Sequence, residues 1–378
     1  MLTIEPVDTQ NRSQVKRFVE LTYRLHAGIP QWIPPLRLDE ATYLNRRRHP
    51  FFTHSAADFF LAVRDGRDVG RIAVLENRRY NEHHHARQAQ FYLFECEEDP
   101  EAAWSLFEAA FQWARRRSLE RIIGPKGFSV LDGFGLLIEG FEQPQLMSLL
   151  TYNPPYYPGL VEANGFSKEI DFLSASLSGE QFQLPAWLRS LAASVEKKHG
   201  LHRRQLHLTE ALFEWNKWSD RLIEYYNQVF VDSWEYWPLT PRDVRFVAAN
   251  IRPLVRPELM TVIERGNELA GFLFGFPDVS AALRRANGRL GPLSLLDLLI
   301  ERQRSRGLVL YALGLSPELR LDGGVAVLVN LIEQTARKHG IRRVDFTEVS
   351  ERTWQVLNEL RAFDIQIDRI HRVYGRDL

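Results

Sequence analysis

Cysteine is almost missing from this chain: Cys96 is the only one in 378 residues. An intrachain disulfide and a thiolate metal cluster are therefore both excluded, and the pattern suits a reducing cytoplasm. Long apolar runs are missing too. None approaches the roughly 18 residues that a membrane-spanning helix needs, so no membrane partner is expected. Nor is there an excess of one charge, because 48 basic residues balance 48 acidic ones. A duplex-wide phosphate contact is not advertised by that balance, and nucleic acid is not an expected partner. The opening residues, Met1 to Asp8, carry acids and alternate like a strand, which is not the pattern of a secretory signal.

What the chain does contain is enough apolar material to fold: 45% of its residues are hydrophobic, well outside the range of disordered sequences. Its length suits two domains of about 190 residues each. The hydrophobic periods divide the same way. In the first half, Asp58 to Val63 and Val69 to Leu75 read as a hairpin about the Asp65-Gly66 turn signal. They are followed by a strand at Gln90 to Phe94, a helix at Glu101 to Arg117 and a strand at Leu119 to Ile123. In the second half, Leu259 to Glu264 and Leu269 to Phe276 form a hairpin. A strand at Leu308 to Leu315, a helix at Val325 to His339 and a strand at Arg342 to Thr347 repeat the series. Further helices are expected at Arg12 to His26, Pro185 to His199, Leu208 to Phe230 and Thr353 to Leu360, and Asp364 to Tyr374 reads as the last strand. The polar segment Leu177 to Gln183 separates the copies, which gives domains over 1–176 and 184–378. The fold class is α/β, with a mixed sheet flanked by helices in each domain.

One stretch offers a binding site. The apolar strand ending Leu313-Gly314-Leu315 runs through Ser316-Pro317 to Arg320-Leu321-Asp322-Gly323-Gly324-Val325 and directly into a helix closed by Gly340. First-turn N–H groups of a helix have no partner of their own, so a strand, a glycine turn and a helix start form a natural anion site. The plain alternative is a strand-to-helix turn with no ligand. The matching place in the first half reads Glu95-Cys96-Glu97-Glu98-Asp99-Pro100, without glycine and with four carboxylates, which would repel a phosphate.

This order of elements, with Arg320, Gly323 and Gly324, resembles the GCN5-related N-acetyltransferase (GNAT) superfamily in two tandem copies. Asn45 to Phe52, Asp65-Gly66-Arg67-Asp68-Val69-Gly70-Arg71-Ile72, Gly124-Pro125, and Tyr152-Asn153-Pro154-Pro155-Tyr156-Tyr157 with Gly165-Phe166 are similar to an uncharacterised bacterial branch of it. The family's loop has Arg or Gln, two variable residues, Gly, one variable residue, and Gly or Ala. Here Arg320 and Gly323 match, and Val325 stands in the last slot. The resemblance implies that acetyl-CoA or another acyl-CoA binds the second domain, with its pyrophosphate on Arg320, Gly323, Gly324 and Val325. Its pantetheine arm would lie along Leu313, Gly314 and Leu315, and its acyl group would pass to a small-molecule or peptide amine. It further implies Glu348 as base and Tyr374 as acid to the leaving sulfur, each set against an ordinary solvated carboxylate and a packing tyrosine. Two other outcomes fit the same fold: a binding or scaffold protein without turnover, and an aminoacyl-transfer enzyme fed by a charged RNA.

Several conspicuous residues carry a bland reading. His83-His84-His85 are three neighbours that rarely converge on one ion, so no metal site is expected. Arg46-Arg47-Arg48 and Arg115-Arg116-Arg117 read as solvated surface. Tyr152, Asn153, Tyr156 and Tyr157, like Trp234, Tyr236 and Trp237, either line a groove or clamp local structure.

Overall fold

The computed structural model describes residues 1–129, 132–178, 183–205, 215–353, 365 and 367–378. The expected helix at Thr353 to Leu360, past its first residue, and residues 208–214 of that at Leu208 to Phe230 fall outside them. The chain divides into two compact units. Unit 1 holds Met1–Leu173, Ser280–Leu295 and Asp368–Leu378, and unit 2 holds Ser174–Val279 and Leu296–Ile367.

The strands of unit 1 are β1 (Leu2–Pro6), β2 (Ala56–Arg64), β3 (Arg67–Glu76), β4 (Gln88–Cys96), β5 (Arg121–Gly124), β6 (Leu136–Glu139), the first part of β7 (Ser167–Ser178), which passes into unit 2 at Ser174, and β13 (Ile367–Asp377) from Asp368 onward. Their order is β1-β2-β3-β4-β5-β13-β7, with β6 also paired to β13. The β2–β3 turn is Asp65-Gly66, both at positive φ, as a two-residue hairpin with right-twisted strands requires. Along β2 and β3 the side chains alternate between two cores. Ala62, Ile72 and Val74 pack under helix α4 (Pro100–Arg116), whereas Phe59, Leu61, Ala73 and Leu75 pack with Phe18 and Leu21 of α1 (Arg12–Leu25). A sheet covered on both faces explains why these strands read as unbroken apolar runs. Helices α2 (Arg37–Tyr43), α3 (Arg78–His84) and α5 (Tyr157–Ala163) complete the chain up to β7.

Unit 2 contains α6 (Ala186–His199), β8 (Leu201–Gln205), α7 (Trp215–Val229), α8 (Pro241–Ile251), β9 (Met260–Arg265) and β10 (Glu268–Pro277). Next in sequence are α9 (Ser280–Ala286), which belongs to unit 1, and α10 (Pro292–Arg304). The series ends with β11 (Gly307–Leu315), α11 (Pro317–Leu321), α12 (Gly324–His339) and β12 (Arg343–Ser350). The strand order is β12-β11-β10-β9-β8. Again both faces are covered. Ile263, Leu273, Leu308 and Val344 join α6 and α12 in one core, while Val262 and Phe272 join Trp218 and Tyr225 of α7 in another. Helix α12 is buried from Gly324 through Glu333 without interruption, so it is the interior helix of its unit, not the half-exposed amphipathic one its period predicts.

The last strand departs from the expected order. Read in sequence it closes the second half, but β13 lies in unit 1 and pairs antiparallel with β5, from Tyr374↔Gly124 to Asp377↔Arg121. Its buried residues Val373 and Tyr374 fill the first unit's core, and Arg372 holds Asp171 at 2.8 Å. Deleting 368–378 therefore strips unit 1 of a central strand. We expect limited proteolysis of the truncated chain to degrade unit 1 while fragments of unit 2 persist, and survival of both units would refute this.

Candidate functional site

In unit 2 the parallel strands β11 and β12 pair only from Gly307↔Arg343 to Leu310↔Phe346. Both then continue, β11 to Leu315 and β12 to Ser350, beyond the end of their common ladder. Thr347 marks the parting: its hydroxyl donates to the Leu310 carbonyl at 2.9 Å. On its other edge β11 stays bonded to β10 up to Gly271↔Leu315, with an irregularity that leaves Tyr311 as the extra residue. The strand segment that sequence reasoning singled out, Leu313-Gly314-Leu315, is thus the part of β11 past the ladder. Extended backbone beyond a ladder has donors and acceptors to offer a ligand.

The glycine turn follows it. Gly323 is left-handed (φ +77°) and caps α12 without any side-chain hydrogen bond to the first turn. A Cβ on Gly324 would sit 2.6 Å from the Leu319 carbonyl oxygen. Both glycines are needed for the turn itself. Gly314 likewise has a packing reason, since a Cβ there would meet the Phe272 ring at 2.5 Å.

The flanking residues take other positions than expected. Arg320 Nε donates to the Leu315 carbonyl at 3.0 Å, and a terminal guanidinium nitrogen donates to the Val229 carbonyl. This side chain ties the end of α7 to the end of β11. Val325 is 7% exposed within the core of unit 2, so the departure from Gly or Ala in the last slot serves packing. Asp322 accepts from Lys198 Nζ at 2.6 Å and contacts His199 Nε2 at 2.5 Å. These partners, Lys198 first, hold its carboxyl below the usual range.

The two proton-transfer candidates separate. Glu348 lies on β12 beyond the ladder, half-buried, with a positive φ of 52° that a side chain adopts only under constraint. Its N–H donates to Ser174 Oγ at 3.1 Å. Tyr374 lies in unit 1, 1% exposed, and its hydroxyl donates to Glu162 at 3.0 Å. The structure does not bring Tyr374 to the unit that carries the turn.

Unit 1 repeats the parted strands and fills the gap with its own side chains. The β4–β5 ladder runs only from Gln88↔Arg121 to Gln90↔Ile123. At the end of β4, Cys96 N–H donates to the Tyr157 hydroxyl at 3.0 Å and the Cys96 carbonyl accepts from Tyr156 at 2.9 Å. Asp99 accepts from Ala102 N–H as the N-cap of α4. The acids here are not bare, because Glu97 pairs with Arg24 and Arg67, and Asp99 with Arg64. Asp99 thus caps the helix start, and the tyrosine pair occupies the end of β4. The tyrosines clamp. Asn153 does so too, bonded through both side-chain atoms to Leu137.

Sequence reasoning missed a buried polar cluster beneath that plug. Glu95 accepts from Thr22 at 2.8 Å and from Tyr157 at 2.7 Å, and lies 2.8 Å from His26 Nε2. His26 stacks on Trp32. Buried Arg71, whose guanidinium approaches Glu95 within 3.9 Å, bonds Glu40 and the Phe18 carbonyl. Burial pushes the Glu95 carboxyl up, but His26, Arg71 and Tyr157 override it and bring it down to about 2. The signal was a charged residue inside an apolar strand, at Glu95 and again at Arg71. Elsewhere Tyr236 and Trp237 are buried, and no cluster of metal-ligating side chains exists among the described residues.

No protein-family profile matches the chain. It is 31% identical over 303 residues to the bacterial ceramide synthase of Caulobacter vibrioides, covering 79% of this chain and 76% of that one. It belongs to the bacterial ceramide synthase family. Protein YghO of Escherichia coli strain K12 is 24% identical over 376 residues, 97% of this chain and 94% of that protein. Among solved structures, a tandem GNAT protein from the clavulanic acid biosynthesis pathway superposes with a TM-score of 0.57 at 12% identity. That match covers 100% of this chain and 98% of the other. The GNAT region of a fungal multi-domain GH3 β-N-acetylglucosaminidase gives 0.58 at 12% identity, with 100% and 38% coverage. The family's fold here is thus a tandem GNAT fold.

Two expectations follow for this member of the family. Because Arg320 satisfies two main-chain carbonyls, Arg320→Ala should lower stability by about 1–3 kcal/mol in urea denaturation, and Arg320→Lys should restore little. A residue serving only a ligand would leave the apo midpoint unmoved. For Glu95, the depressed folded pKa means its stabilisation is complete above its ordinary value of 4.5 and is lost as pH falls toward 2. The urea midpoints of wild type and Glu95→Gln should therefore differ at neutral pH and converge over that window.

Proposed function

We propose that this chain is an N-acyltransferase that joins an acyl group from acyl-CoA to the primary amine of a long-chain amino alcohol, giving a ceramide-type amide. The observation that carries this reading is the 31% identity to a protein named bacterial ceramide synthase, a ceramide being the fatty amide of such a base. The parted strands and the uncapped helix start of unit 2 support it physically. When bound, acyl-CoA supplies an activated thioester. In this reading the β11 backbone at Leu313, Gly314 and Leu315 holds the pantetheine arm, and the N–H groups beginning at Gly323 and Gly324 face the pyrophosphate. Arg320 fixes the turn from behind, by its bonds to Leu315 and Val229. Asp322, paired with Lys198, does not oppose the phosphates.

Glu348 is our choice of base for the acceptor, which arrives as an ammonium and must lose a proton before its nitrogen attacks. The C–N bond would then form as the thioester C–S bond breaks, with coenzyme A leaving as the thiol and taking up a proton released from that nitrogen. An amine must be neutral to attack, and a carboxylate past the end of the ladder can take its proton directly or through water. Orientation of amine and thioester supplies much of the remaining acceleration. Unit 1, plugged by Tyr156 and Tyr157, takes no acyl-CoA in this reading. A binding protein without turnover is the second reading, favoured by the commitment of Arg320 to carbonyls.

The test is to incubate the purified chain with palmitoyl-CoA and sphinganine, and to follow amide by mass spectrometry and free thiol by colour. Amide formation is expected, with Glu348→Gln lowering kcat by about a hundredfold or more and KM little changed. Saturable acyl-CoA binding without any amide, from a panel of amines, would favour the binding protein.

A further inference from the structure

Unit 1 carries a cavity of 780 Å³ between α1 and the segment from α2 to Arg47. Nothing in the acyl-transfer reading uses it. Its floor is apolar, made by Val15, Val19, Ala41 and Leu44, and Val19 and Leu44 are themselves buried. Its wall is cationic. Arg12, Lys16, Arg37, Arg46 and Arg47 all line it, against Glu20 as the single acid among the lining residues.

Two of these cations are already matched. Arg37 bonds Glu20 at 2.8 Å, and Arg46 bonds Asp58 at 2.6 Å. Arg12, Lys16 and Arg47 are exposed and form no ion pair among the described residues. Arg12 and Lys16 stand four residues apart on α1, hence on one face, and Arg47 joins them from the opposite wall. Three like charges around one concavity raise the local potential and are relieved by an anion. The aliphatic floor below them suits the carbon chain next to that anion. A basic rim over an apolar floor is the chemistry of a phosphate-bearing amphiphile.

We infer that this cavity binds the phosphate headgroup of an anionic membrane lipid and docks the protein on the bilayer surface. The choice of a lipid over a free phosphate ester rests on the reading that the acceptor is a membrane amphiphile. No described helix is long and apolar enough to cross a membrane, so a surface contact of this kind gives the chain access to such an acceptor. The Arg46-Arg47-Arg48 run, plain solvated surface by sequence, thereby gains a role for its middle member, Arg47.

The test is flotation of the full chain with vesicles of phosphatidylcholine containing phosphatidylglycerol, against pure phosphatidylcholine, without acyl-CoA or amine. Wild type is expected to float with the anionic vesicles only, and to be released as salt rises. The variant Arg12→Gln/Lys16→Gln/Arg47→Gln should bind about a hundredfold more weakly, each basic residue near an anionic surface contributing roughly fivefold. The control Arg115→Gln/Arg116→Gln/Lys197→Gln, with the same change in net charge at exposed sites elsewhere, should bind like wild type. Equal loss in both variants would overturn the site in favour of non-specific charge, and undiminished binding by the first would overturn it outright. In a parallel arm, inorganic phosphate and free coenzyme A are titrated into the protein. Saturable binding there that the first variant abolishes, with no flotation of wild type, would assign the cavity to a free phosphate and reject the lipid. Flotation with no amide formed fails the acyl-transfer reading alone. Amide formed by a chain that ignores anionic vesicles fails this inference alone.

Discussion

What unit 2 offers a ligand depends on two parallel strands that stop pairing before they end. A ladder that closes at Leu310↔Phe346 leaves the next residues of β11 bonded on one edge only. Extended backbone in that state needs another partner, because an unmatched buried amide or carbonyl costs about 1–3 kcal/mol. The two units meet the same need differently. Unit 1 supplies tyrosine hydroxyls at Cys96, and in unit 2 the continuation leads to a glycine turn and a helix start without a side-chain cap. One geometry thus appears in a self-satisfied form and in a form able to accept something from outside.

Charge inside the units is organised by the same rule of local satisfaction. Glu95 gathers Thr22, Tyr157 and His26, while Arg71 takes Glu40 and a main-chain carbonyl. In unit 2, buried Glu333 is held by Arg189 at 2.7 Å and Arg337 at 2.8 Å. Removing one member of such a group leaves an uncompensated charge in low dielectric, which is far more damaging than the net worth of the pair suggests. These clusters fix which strand faces which helix. They also show why zero net charge says little about local fields: among the described residues many acids and bases are matched locally, whereas Arg12, Lys16 and Arg47 form no ion pair and share one concavity beside α1.

Much of this architecture was legible in the sequence, and for identifiable reasons. The Asp65-Gly66 turn takes both its residues to positive φ, so the turn of the first hairpin could be placed, while its strands reach beyond the expected bounds to Ala56–Arg64 and Arg67–Glu76. Thr240-Pro241 pairs a capping oxygen with a fixed φ, the mark of a helix start, and the structure adds a full capping box at Thr240 and Asp243. Gly323 was legible as a turn glycine because only glycine takes φ +77° readily. What could not be read were long-range partners. Arg320 fits a loop pattern by spacing, yet its partner is the Val229 carbonyl, 91 residues away. Tyr374 follows the second copy in sequence, while its neighbours in space are Gly124 and Glu162. Period and spacing report local geometry and are silent about pairings across a hundred residues or more.

That last pairing sets a timetable for the nascent chain. Unit 1 begins at the first residue, but β13 occupies a central place in its sheet and follows all of unit 2. At about 5–20 residues per second, some 10–40 seconds separate the emergence of Leu173 from that of Asp368. During that interval β5 and β7 have no strand between them, and their unpaired edges are open to any other chain nearby. Of the two units, the one whose first strands are made earlier is the one completed later.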